Sequence, residues 1–153
     1  MYYRIFGIND AAIAPAALLE HLHSLGFEVT GHFKGDEEGW FHADLIFDDA
    51  DARFELDRYL ASEEGIRHQL NTWAAWLETA CPDQPQWLQH LVSTRQVFTL
   101  RRAEEDVDGE ACTKLCKFLA RETAGIYQLD GKGFFTEDGI LIATEDEPSE
   151  PEA

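Results

Sequence analysis

The chain has 153 residues, enough for one domain with a sizeable core, and its 44% hydrophobic and 12% aromatic content excludes a disordered polymer, because that much apolar area offsets the entropy of ordering. Thirty acidic against twelve basic residues give a formal net charge of −18, which repels phosphate backbones and anionic lipid surfaces, so neither nucleic-acid nor membrane binding is expected. The same field favours solubility and attracts a basic protein, a polyamine or a metal cation.

The opening residues Met1-Tyr2-Tyr3-Arg4-Ile5-Phe6 lack the basic and long apolar regions of a signal peptide, and no run is long enough to span a bilayer. Cys81, Cys112 and Cys116 are odd in number and have no CxxC spacing, which argues against a disulfide framework or a zinc knuckle. A cytoplasmic location with reduced thiols is the expectation.

Residues 2 to 7 read as a strand. A helix follows, with Pro15 suited to its first turn and Leu18, Leu22 and Leu25 at helical spacing before Gly26. Phe27, Val29, Gly31 and Phe33 then alternate with Glu28, Thr30, His32 and Lys34, the pattern of a strand buried on one face. The alternation resumes at Trp40 with Phe41, Ala43, Leu45 and Phe47 inward, which predicts a β-hairpin around a five-residue loop, 35 to 39. That loop sets His32 opposite His42.

Asp48, Asp49 and Asp51 resemble an acidic first helical turn, and Phe54, Leu56, Tyr59 and Leu60 supply apolar positions for a helix. Ile66, Leu70, Trp73 and Leu77 form the stripe of a second helix ending near Cys81-Pro82, and Trp87, Leu88 and Leu91 mark a shorter one. Residues 96 to 101 read as a strand and 107 to 122 as a helix burying Ala111, Leu115, Phe118 and Leu119. Residues 125–129, 132–136 and 139–143 read as short strands joined by Asp130-Gly131 and Glu137-Asp138-Gly139. The segment 145–153 is predicted to be a disordered acidic tail.

The elements predict a single α+β domain over residues 1–144, with a helical insert at about 51–93 and an antiparallel sheet carrying its helices on one face. Two layouts fit: a ferredoxin-like β-α-β-β-α-β order with a C-terminal extension, or a tandem β-α-β-β arrangement in which residues 96–143 echo 2–47. A ferredoxin-like layout implies no particular function.

GxSxG, HExxH, GxxxxGK[ST] and GxGxxG patterns are absent, and no nucleophile stands out beside a base, so an enzyme is not the favoured reading and no cofactor is implied. His32, His42 and Asp44 share the outward face of the hairpin, where two imidazoles and a carboxylate offer ligands to a divalent metal or form a pH-sensitive surface patch. Cys112 and Cys116, spaced i, i+4 beside Leu115 and Leu119, read as small core residues. Trp76 and Trp87 sit in the insert as candidate anchors for a partner. Charge, aromatics and missing catalytic motifs together point to a non-enzymatic protein-binding or regulatory module, inhibitor- or immunity-like toward a basic protein. The alternative is a small-ligand or metal-binding domain with its site on the exposed sheet face.

Overall fold

The strand alternation read from the sequence builds one sheet. A computed structural model describes residues 2–37, 39–47, 52–102 and 109–144; the tail 145–153 and the start of the helix expected from residue 107 lie outside them. In chain order the elements are β1 (Tyr2–Gly7), α1 (Pro15–Ser24), β2 (Val29–Asp36), β3 (Gly39–Phe47), β4 (Ala52–Leu60), α2 (Ile66–Ala80), α3 (Pro85–Val92), β5 (Gln96–Arg102), α4 (Gly109–Glu122), β6 (Ile126–Leu129), β7 (Gly133–Phe135) and β8 (Leu141–Thr144). The eight strands form one open antiparallel sheet in the order β2-β3-β4-β5-β1-β6-β7-β8. The fold is mixed α+β, with four helices among the described residues.

The helices lie on both faces, not on one as the sequence suggested. Successive residues of a strand point to opposite faces, and they divide between separate cores. Ile5, Phe98 and Tyr127 join one core with Leu18 and Leu22 of α1 and Leu115 and Leu119 of α4. Their chain neighbours Phe6, Val97 and Ile126 join the other, with Ile66, Leu70 and Leu77 of α2 and Leu91 of α3. The tandem order is also asymmetric. The first three-stranded meander meets the central pair β5-β1 through its last strand, β4, and the second meets it through its first, β6.

Residues 52–60 form a strand where a helix was expected, so the helical insert shrinks to 66–92. Phe54, Leu56 and Arg58 are buried while Glu55, Asp57 and Tyr59 are half-exposed, a period of two that the preceding acidic residues obscured. β4 pairs with β3 on one side and β5 on the other, and both ladders satisfy its backbone groups.

The hairpin register also differs. β2 and β3 run to Asp36 and from Gly39, and the ladder shifts between Lys34 and Gly35, where Phe41 is the extra residue of a bulge. His32 therefore opposes Asp44, and His42 opposes Lys34. The slip from expectation is two residues, an even number, so His32, His42 and Asp44 keep their predicted face. Phe41, expected inward, is instead exposed, because the bulge gives the inward place to buried Trp40.

Buried Arg58 was not foreseen. Its Nε donates to Gln96 Oε1 at 2.7 Å, and Gln96 Nε2 donates to the carbonyls of Asn9 and Ala11 at 2.8 and 3.1 Å. Trp40 Nε1 donates to the Ile13 carbonyl at 2.7 Å. These bonds fasten the β1–α1 loop across the end of the sheet.

The β6–β7 turn provides a test. Gly133 has φ +126°, and a Cβ there would lie 2.0 Å from the Ala143 carbonyl oxygen, whereas Gly131, with φ +81°, has open space. Gly131→Ala is expected to lower unfolding free energy by about 1–2 kcal/mol from backbone strain alone, and Gly133→Ala by about 3 kcal/mol or more, because β8 must also move. Urea denaturation of the two variants measures the difference.

Candidate functional site

α2 and α3 cover only part of their face of the sheet. Their core draws on β1, β5, β6, β7 and β8, with Tyr59 from β4, and takes nothing from β2 or β3. On that side β2 to β5 instead carry polar side chains at alternate positions: His32 and Lys34, His42 and Asp44, Arg53, Glu55 and Asp57, Thr99 and Arg101. Beneath them, residues such as Ala43, Leu45, Phe54 and Leu56 are fully buried. This is a half-wet sheet, apolar below and charged above.

His42 is the centre of the charged side. It and Asp44 are two apart on β3; Asp57 and Glu55 on β4 oppose them in register. His42 Nδ1–H donates to Asp57 Oδ1 at 2.7 Å, which turns Nε2 toward Asp44 Oδ1 at 3.4 Å. Arg53 donates to the same Asp44 oxygen at 3.0 Å, and Arg101 donates to Glu55 at 2.5 Å. One ligand atom each from His42, Asp44 and Glu55 lie within 4.8 Å of one another, so these three residues can hold a metal ion.

The hydrogen bond to Asp57 raises the His42 pKa above its ordinary 6.5; burial opposes this, and the charges of Asp57 and Asp44 add to it. The bond from Arg53 holds the Asp44 carboxyl below the usual carboxylate range, with His42 contributing.

A groove of about 370 Å³ lies where α2 rises from this face. Tyr2, Tyr59 and Thr99 line it together with Glu63, Glu64 and Gln69. Arg4 also borders it, its guanidinium bonded to Asp130 Oδ1 at 2.6 Å and Gln128 Oε1 at 2.8 Å and lying over the Tyr2 and Trp73 rings. A larger cleft of about 650 Å³ at the start of α2 has its cations engaged: Arg67 donates to the Val92 and Thr94 carbonyls, and Arg95 sits 3.9 Å from Asp10.

Of the residues singled out from sequence, His42 and Asp44 come together, while exposed His32 stands across the ladder from Asp44 and outside the three-residue ligand group. Glu55 and Asp57 were missed because β4 was read as helix; their alternation with Phe54 and Leu56 was the available signal. Trp76 is half-buried and stacks on Phe134 at 5.5 Å between centroids, and half-buried Trp87 donates from Nε1 to Gln84. Cys112 and Cys116 are fully buried, and burial pushes the Cys116 thiol well up. His21 is half-buried and stacks on Phe118 at 4.4 Å, because α1 packs beside α4. No helix among the described residues is long and apolar enough to cross a membrane. Comparison with protein-family models, curated proteins and solved structures finds no match to the chain.

The histidines give stability a two-sided pH dependence. His42 binds its proton more tightly when folded, so its contribution is complete below about pH 6.5 and is lost as the pH rises through its folded pKa. His90, whose Nε2–H donates to the Phe6 carbonyl at 3.1 Å, has its pKa lowered by burial, so its contribution is complete above about pH 6.5 and is lost as the pH falls through its folded pKa. Urea unfolding across about pH 5.5 to 9 is expected to give a dome. His42→Asn flattens its alkaline limb and His90→Gln part of its acid limb.

Proposed function

We propose that the chain is a non-enzymatic protein-binding module that engages a basic partner, in the manner of an inhibitor or immunity-type protein, along the step between the open half of the sheet and α2. The observation that carries this reading is the groove itself. Tyr2 and Tyr59 offer amphipathic contact area at low conformational cost, and exposed Glu63 and Glu64 stand at its rim. A lysine or arginine from a partner can lay its methylene stem on the tyrosine rings and set its charge between the glutamates. Arg4 opposes such a guest only weakly, because Asp130 neutralises it from behind.

The net charge of −18 supports the same partner class from a distance: it steers a basic protein toward the surface before any contact forms. Thiol chemistry is poorly served, since Cys81, Cys112 and Cys116 are buried and burial raises the pKa of Cys81 and Cys116. Cytoplasmic residence fits these reduced thiols.

Affinity capture with the full chain is expected to recover proteins of high isoelectric point at about 0.05 M salt and to lose them at about 0.5 M, where charges are screened within a few ångströms. The double variant Glu63→Lys, Glu64→Lys should weaken capture at least about tenfold, and Tyr59→Ala should weaken it without changing the salt dependence. Recovery that is indifferent to salt and to the charge reversal would overturn the reading.

A further inference from the structure

We infer that His42, Asp44 and Glu55 form a site for one divalent transition-metal ion of the zinc or cobalt class, with Asp57 as a positioning residue for His42. This stands apart from the partner reading and rests on the strand lattice. Two positions on β3 and one on β4 put an imidazole and two carboxylates on the same side of the sheet, their ligand atoms within 4.8 Å of one another. The ligands are half-buried on strands paired on both sides, so their backbone is held in place.

The histidine geometry is specific. The bond from Nδ1–H to Asp57 selects the tautomer in which, once an incoming ion displaces the second proton, Nε2 presents the lone pair, the arrangement that orients and strengthens metal-binding imidazoles. Nε2 and Asp44 Oδ1 are 3.4 Å apart. Two ligands about 2.0–2.1 Å from a tetrahedral ion are separated by roughly 3.3–3.4 Å, so this edge of the site is already at the required spacing. Glu55, the longest of the three side chains, closes the remaining distance by a change of rotamer.

The donor set selects the ion. One nitrogen with two anionic oxygens suits zinc, cobalt or manganese better than calcium or magnesium, which take all-oxygen shells of six or more ligands. Two carboxylates neutralise a doubly charged ion, and three protein ligands leave a position for water. Arg53 and Arg101 now occupy the carboxylates, but their side chains are 58% and 48% exposed, so each can swing into solvent as an ion enters. Lys34, across the ladder from His42 on β2, is also exposed and free to turn outward.

The test uses the full chain stripped by chelation and then titrated separately with Zn²⁺, Co²⁺ and Mg²⁺, followed by calorimetry, thermal unfolding and the visible absorption of Co²⁺. One Zn²⁺ or Co²⁺ per chain should bind and raise the melting temperature, with Co²⁺ bands indicating a nitrogen and oxygen shell, while Mg²⁺ has little effect. His42→Ala and the pair Asp44→Asn, Glu55→Gln should abolish the effect. Asp57→Asn should weaken it about 10–100-fold with stoichiometry intact, and His32→Ala should leave it unchanged. Circular dichroism of each variant separates loss of the site from loss of the fold, and Asp57→Asn, which keeps all three ligands, serves if His42→Ala does not fold. Failure of Zn²⁺ and Co²⁺ to bind, an equal response to Mg²⁺, or full binding by His42→Ala would overturn the proposal, the last two identifying diffuse attraction to an acidic surface.

Discussion

The antiparallel pairing of β1 with β5 is the contact on which the rest of the architecture rests. Ile5 opposes Phe98 on one face and Phe6 opposes Val97 on the other, so the same short ladder supplies apolar floor to both cores. Each of these side chains is nearly or fully buried, at about 1.5–3 kcal/mol apiece for the transfer from water. The ladder also joins the two meanders: β4 docks on β5 and β6 on β1.

Much of this was legible in local pattern. β1, α1, α2, α3, β5 and α4 announce themselves through clear periods and, for α1, through Pro15 at the helix start. β4 did not, because Asp48, Asp49 and Asp51 mimic a helix N-terminus just where Phe54, Glu55, Leu56 and Asp57 begin to alternate. Two neighbouring strands decided that segment, and no local window contains them. The hairpin register failed for a related reason: a bulge at Phe41 and strands that continue into the turn leave no trace in hydrophobic spacing. The faces of His42 and Asp44 survived that error, so both were identified from sequence, while Phe41 was wrongly expected inward and the β4 partners Glu55 and Asp57 were not found. The buried Arg58–Gln96 link, a pairing between β4 and β5, was invisible on the same grounds.

The open half of the sheet follows a different economy from the covered half. Where α2 and α3 lie over Phe6, Ile126 and Phe134, burial holds the layers together. Beyond them the surface positions are filled by groups that satisfy one another across strands: His42 with Asp57, Arg53 with Asp44, Arg101 with Glu55. Exposed pairs of this kind contribute only about 0–1 kcal/mol each. The fold is therefore secured from beneath, by Leu45, Phe54 and Leu56, and the charged layer can be tuned to a task with little loss of stability.

An open sheet has two selvedges, and each one here is poorly suited to stitching further chains. The β2 border carries Lys34 and Asp36 and is bent by the kink opposite Phe41, so an incoming ribbon finds neither flatness nor a neutral seam. The β8 border runs for only Leu141–Thr144 and leads directly into Glu145, Asp146 and Glu147. Exposed Ile140 and Leu141 would otherwise invite growth into fibres, but a four-residue hem that passes straight into like charges gives polymerisation little purchase.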